Sequence, residues 1–269
     1  MHQVKRLLKR TSWKILPHST VQFVKKRHYL RLLRSSSLEK EPELRVVRHL
    51  VKPGDTVIDI GANVGVYSKL LSELVGPNGH VYSIEPFPPT FEILCYNARK
   101  LRLDNVEPIN IAVSDSVAVV TMVLPHDSSG AETHYRACVV TDYADEGKSE
   151  TANVKATTID ARFLSVSGTT SFIKCDVEGH EPACIKGAAK FLAQSQAAWL
   201  IEVSGEPDDT DSAAHHVFEI LHDYDYSAWW YDGSKLRKRH PGDKSTNYLF
   251  LKDNHIDILK KSELELLSI

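Results

Sequence analysis

The stretch VIDIGANVGVY, residues 57–67, decides how this chain folds. A short β-branched run, Thr56–Ile60, ends in a glycine, and apolar residues then recur at helical spacing from Val66. Such a run, bounded by Gly and followed by helical periodicity, reads as a buried strand that turns directly into a helix. Gly61, Asn63 and Gly65 occupy the turn. Glycine is used where the backbone needs positive φ or where a ligand must come close. A helix start presents free N–H groups and a partial positive charge, so a ligand carboxylate or phosphate is favoured there.

Working outward, Glu85 follows Gly61 by 24 residues and closes the next predicted strand, HVYSIEP, just before Pro86. A carboxylate in that position accepts from both hydroxyls of a ribose. Two adenosine-bearing cofactors suit this arrangement. A dinucleotide site expects a third glycine for close helix packing, but Ser68 holds that slot here. Asp59, immediately before the loop, repels a pyrophosphate and attracts an ammonium. S-adenosylmethionine carries both an amino and a carboxylate group, so the residues favour it over NAD.

The strand–helix rhythm continues in both directions. LRVVRHLV before the loop, VYSKLLSELV after it and PTFEILCYNARKLRL read as helices, with a third strand near Ile109–Val113. TSFIKCDV, residues 170–177, is a strand, PACIKGAAKFLAQ a helix, AAWLIEVSG a strand and DSAAHHVFEILHDY a helix. YSAWWYDG and STNYLFLK read as a closing hairpin. Alternation of this kind predicts an α/β fold with a mostly parallel sheet covered on both faces. Residues 114–158 break it. Their strand-like pieces and polar loops predict an antiparallel excursion that walls a ligand site. The chain thus divides into a basic N-terminal arm (1–39), an α/β domain (40–252) and a tail with helical amphipathicity (253–269).

The 269 residues carry a net charge of −2, unevenly spread. Residues 1–34 hold ten Lys/Arg and no Asp/Glu. No apolar stretch there is long enough for a signal-peptide core or a membrane span. Val4, Leu7, Leu8, Trp13, Ile15 and Leu16 sit among the cations. Such an arm could lie on an anionic membrane surface or touch nucleic acid. The simpler reading is a helix that packs on the acidic remainder of the chain, and nucleic acid is the less favoured partner. Four cysteines without a CxxC pair, and the lack of an Asn-x-Ser/Thr acceptor, read as reduced thiols in a cytoplasmic protein. Oligomeric state is left open.

The stretch IKCDVEGHEP, residues 173–182, places Asp176, Glu178, His180 and Glu181 within six positions. Asp176 or Glu178 could cap the helix that begins near Pro182, and Glu178 and Glu181 could complement its dipole. The catalytic reading competes with this. Methyl transfer to an oxygen needs the acceptor held in line and its proton removed. His180 matches on basicity, and Asp176 could accept a proton that leaves late. No metal-ligand set is assigned to the cluster.

Together VIDIGANVGVYS, VYSIEPFPPTFEILCYN, INIAVSD, ATTID and FIKCDVEGHEPACIKGA resemble the FkbM-type methyltransferases over roughly residues 40–252, with Asp-Val-Glu-Gly-His-Glu the most specific block. The resemblance implies a class I methyltransferase (Rossmann-like) fold, a seven-stranded, mostly parallel sheet with the last strand inserted antiparallel. It implies S-adenosylmethionine as cofactor and methylation of hydroxyls on sugar, glycolipid or polyketide-type metabolites. An amine or nucleic-acid acceptor and a non-catalytic nucleotide-binding module are the alternatives. By the same resemblance Asp59, Gly61, Asn63 and Gly65 hold the methionine end, Glu85 with Pro86 the ribose, and Ala112, Ser114 and Asp115 the adenine. Thr170–Cys175 becomes the fourth strand, beside the first. Asp176 then falls at its carboxyl end next to the glycine loop, where ligands of open α/β sheets sit. Asp176, His180 and Glu178 are the catalytic candidates.

Overall fold

The computed structural model describes residues 18–124, 138–140, 150–262 and 266–267. The first strand, β1 (Thr56–Ile60), lies in the middle of the main sheet, with β2 (His80–Ile84) and β8 (Thr170–Cys175) parallel to it on either side. Beyond them lie β3 (Val106–Ile109) on one edge and β9 (Ala198–Glu202) on the other. β12 (Asn247–Leu251) then enters antiparallel between β9 and β10 (Ser227–Tyr231). These seven strands form the expected open sheet. Two short strands, β11 (Leu236–Lys238) and β13 (Leu266–Leu267), extend its far edge to nine. β10 and β12 pair antiparallel as the expected closing hairpin, with β11, which lies between them in the chain, folded back on the outer side of β10.

Alternation along the parallel strands feeds two cores, as expected for strands buried on both faces. Ile58, Ile60, Ile173, Cys175 and Trp199 point to one side, against α5 (Ile159–Phe163), α6 (Glu181–Lys186), α7 (Ala189–Gln194) and α8 (Ala213–His222). Val57, Val81, Phe172 and Leu200 point to the other, against α2 (Leu44–Leu50), α3 (Val66–Val75) and α9 (Asp253–Lys260). The helix expected over PACIKGAAKFLAQ is broken in two. Any side chain at Gly187, between α6 and α7, would collide with the carbonyl of Ser114. The C-terminal segment is part of the second core, through Ile256 and Leu259 of α9.

One expectation is corrected. The strand placed at Ile109–Val113 is two strands in two sheets. Val106–Ile109 pairs with β2, while β4 (Ala112–Val113) pairs with β7 (Glu150–Thr157) in a four-stranded sheet that also holds β5 (Ala118–Leu124) and β6 (Cys138–Val140). α1 (His18–Arg34) packs against α4 (Pro88–Leu101), burying Tyr29 and Leu33 with Val64 and Ile93. The apolar residues between Val4 and Leu16 lie outside the described residues.

Candidate active site

A cleft of about 380 Å³ opens at the carboxyl ends of β1, β2, β8 and β9. Its floor is the glycine loop. Gly61 has φ +79, and an added Cβ would fall 1.8 Å from the carbonyl oxygen of Asp176. The Asp176 amide donates to the carbonyl of Ile60 at 3.1 Å. The two motifs read separately in the sequence are thus in backbone contact, and only glycine allows it. Each loop also holds a non-glycine residue in the left-handed region, Asn63 (φ 51) and Glu178 (φ 53). Such conformations cluster where surrounding structure holds a functional loop in place.

Glu85 is buried at the end of β2. Its Oε2 accepts from the Asn63 amide at 3.0 Å and its Oε1 from the Phe87 amide at 2.9 Å. Burial nevertheless raises its pKa to about 7. Each oxygen retains lone-pair capacity for a further donor, as the pair of hydroxyls on a ribose requires. Asp59 is fully buried, accepting from Ser68 Oγ at 2.6 Å, while its Oδ1 has no partner among the described residues. Burial raises its pKa as well. The residues fit S-adenosylmethionine: acceptors of hydroxyl and ammonium donors stand at either side of a loop that lets a ligand approach the backbone. The helix-start expectation needs one correction. The Ser68 amide of α3 is turned inward to Asp59 rather than offered to a ligand.

Asp59, Gly61, Asn63, Glu85, Pro86, Ala112, Asp176, Glu178 and His180 all line this cleft. Gly65, Ser114 and Asp115 do not. Gly65 is a packing position, where a Cβ would meet Leu94 of α4 at 2.8 Å. Ser114 Oγ lies 2.9 Å from His180 Nε2 and so reaches the cleft only through that ring. Asp115 Oδ2 lies 3.6 Å from Lys186 Nζ. The antiparallel wall is present in part: Met122 of β5 and Ala112 of β4 line the cleft. The rest of that segment, residues 125–137 and 141–149, lies outside the described residues.

Asp176 is held by Lys174, whose Nζ donates to Oδ2 at 2.8 Å and lies 4.7 Å from the Tyr67 ring centre. Burial alone would lower the Lys174 pKa; Asp176 and Asp59 outweigh that and raise it, keeping the ammonium charged. His180 is pushed the other way by burial, toward the neutral imidazole. Glu181 is buried, and its Oε1 accepts from the amides of Val177 and Gly179, both at 3.1 Å. It shapes the acidic loop, a role more specific than a dipole partner, and neither Asp176 nor Glu178 caps α6.

Sequence reading missed four polar cleft residues: Lys174, Tyr67, Glu41 and Glu202. Lys174 had a visible signal. It sits in the strand beside Asp59, and the two are register partners across β1 and β8. A lysine inside an otherwise apolar strand demands such a partner. Glu202 ends β9 as Glu85 ends β2, and burial first, then the nearby Asp176, raise its pKa to about 7. Glu41 accepts from the Tyr67 hydroxyl and is also raised by burial. No pattern local to Glu41 marks it.

An open parallel sheet with a glycine loop, a strand-end carboxylate and an ion-paired acidic loop at one cleft defines a class I methyltransferase architecture. Residues 59–228 match the profile described as Methyltransferase FkbM domain, more than half of the chain, and the chain belongs to that family of S-adenosylmethionine-dependent methyltransferases. Among curated proteins it is similar to a protein-L-isoaspartate O-methyltransferase of Methanothrix thermoacetophila. The two are 37% identical over 59 residues, covering 22% of this chain and 28% of that one. A counterpart in Aeropyrum pernix is 39% identical over 64 residues, covering 24% of each. The chain spans about a quarter to a third of the length of the curated relatives it matches. Among solved structures it resembles a methyltransferase FkbM from Methylobacillus flagellatus, at 16% identity and TM-score 0.47, covering 78% of this chain and 50% of that one. It also resembles a SAM-dependent methyltransferase from Aquifex aeolicus, at 19% identity and TM-score 0.42, covering 84% and 96%.

Proposed function

We propose that this chain transfers a methyl group from S-adenosylmethionine to a hydroxyl of a sugar, glycolipid or polyketide-type metabolite. The observation that carries the reading is the contact of the glycine loop with Asp176, which sets the acidic loop against the cofactor floor. Bound S-adenosylmethionine supplies an electrophilic methyl. The chain supplies the rest: Glu85 and Asp59 hold hydroxyl and ammonium donors, and Asp176, fixed by Lys174, orients the acceptor oxygen. Positioning of that kind can contribute about 7–11 kcal/mol to lowering a barrier. Glu202, poised near neutrality by burial, takes the hydroxyl proton.

The lining supports a hydroxyl over a carboxylate acceptor. Glu41, Asp176, Glu178 and Glu202 share the cleft, with Lys174 engaged by Asp176. An acceptor carboxylate of the isoaspartyl kind named for the curated relatives would meet like charge there. Hydroxyls instead donate to these oxygens.

Calorimetry should show S-adenosylhomocysteine binding to the wild-type chain and no NADH binding. The reverse outcome sinks the reading. Asp176→Asn should keep cofactor affinity yet lose most turnover in a screen of sugar, lipid and polyketide extracts with labelled S-adenosylmethionine. Unchanged turnover would remove Asp176 from the chemistry.

A further inference from the structure

α1 has two unlike faces. At 100° per residue Gln22, Lys26, Tyr29, Leu30 and Leu33 turn toward the domain, and Gln22, Tyr29, Leu30 and Leu33 are buried. Lys26 ends in an ion pair with Glu92 at 3.2 Å. The opposite face has no acidic partner among the described residues. It consists of Phe23, Val24, Arg27, His28, Arg31, Leu32 and Arg34, all exposed. Phe23 is 57% exposed, Val24 40% and Leu32 36%. No Asp or Glu occurs anywhere in the helix. Beside this face a second cleft, of about 220 Å³, runs between α1 and α4 and is lined by Arg27, Arg31, Arg34 and Lys100 with Tyr96.

We propose that this outer face of α1 docks on an anionic lipid bilayer, with phosphate-bearing headgroups entering the Arg27–Arg31–Arg34–Lys100 cleft. Charge and apolarity together select the occupant. Cations at one level and large apolar side chains among them are the composition of a helix lying in a membrane interface. A nucleic-acid backbone would use the arginines but leave Val24 and Leu32 facing water or phosphate. Seventeen residues make a rod about 25 Å long, sufficient for several headgroups at once. Docking is peripheral, since no helix among the described residues is long and apolar enough to cross a membrane. The buried side of the same helix touches the cofactor loop through Leu33 and Val64, so a docked α1 sets the cleft at a fixed orientation to the lipid.

The test is flotation of the full chain with vesicles of phosphatidylcholine containing about a third phosphatidylserine, against pure phosphatidylcholine. The chain should float with the anionic vesicles only. R27A/R31A/R34A should weaken partitioning on the order of a hundred-fold. F23S/L32S should leave binding at low salt but lose it at high salt, where the electrostatic part is screened. S-adenosylhomocysteine binding, unchanged in both variants, shows that they are folded. Equal flotation of R27A/R31A/R34A and wild type overturns the proposal, as does failure of the wild type to float. Retention on single-stranded RNA at the same ionic strength without vesicle binding would assign the face to nucleic acid instead.

Discussion

Gly61→Ala probes the junction on which the site depends. Two separate penalties apply there. The first is the positive φ of +79, which costs an L-residue about 1–2 kcal/mol. The second is steric: the new Cβ would lie 1.8 Å from the oxygen and 2.8 Å from the carbon of the Asp176 carbonyl. Backbone cannot swing aside as a side-chain tip can, so β8's end must retreat from β1. Overpacking of this kind costs about 1–3 kcal/mol more. Gly54→Ala isolates the two parts. Gly54 has φ +95 and nothing within 4 Å of an added Cβ, so it carries the first penalty without the second. Both substitutions stiffen the unfolded chain alike, and that effect cancels between them. Scanning calorimetry should place Gly54→Ala a few degrees below wild type and Gly61→Ala roughly 10 °C below, at about 2–4 °C per kcal/mol for a domain of this size. S-adenosylhomocysteine affinity should fall at least about tenfold in Gly61→Ala alone, the loop being displaced by an amount worth over ~1.4 kcal/mol. Equal melting temperatures and affinities in the two variants would refute the claim that the loops interlock.

Glu85 makes the fold sensitive to pH. Its folded pKa of about 7 stands above the ordinary carboxyl value of 4.5, so the folded state binds the extra proton. That stability is fully present below the unfolded pKa and is lost as pH rises toward 7, in total about 3 kcal/mol. Glu85→Gln should flatten the stability curve between pH 5 and 8 relative to wild type; parallel curves would show that the carboxyl is not protonated when buried. Glu202→Gln should depress kcat and abolish the acid limb of its pH profile near pH 7, whereas a retained limb would assign the proton acceptor elsewhere. Lys174→Met should cost about 3–5 kcal/mol in denaturant unfolding, because it leaves the fully buried Asp59 carboxylate without its neighbouring cation. The Lys174→Met/Asp176→Asn pair should cost clearly less than the sum of the singles, and additivity would mean the ion pair is not a unit.

The extent to which the site was legible follows from the kind of signal each residue leaves. Asp59, Gly61 and Asn63 fall inside a strand–turn–helix pattern, and Glu85 ends the following strand, so local periodicity alone located them. Ser114 and Asp115 follow a run around Ile109–Val113 that divides between two sheets, which sends β4 toward β7 and leaves both residues outside the cleft lining. A sequence window sees only continuous β-character there. Gly65 looked like part of the cofactor loop, but its missing side chain makes room for Leu94 on α4. Glu202 was passed over because a strand-end acid is informative only once its neighbours are known.

The sequence by itself determined the α/β class, the order of its elements, the cofactor loop and the acidic motif, because periodicity and glycine placement act over a few residues. Only the tertiary structure decided which groups share the cleft. Register across β1 and β8 puts Lys174 opposite Asp59. The approach of two backbones makes Gly61 obligatory, and burial moves Glu85 and Glu202 toward neutrality. Those effects arise from distance and desolvation, which depend on groups far apart in the chain and are created only when the sheet closes around them.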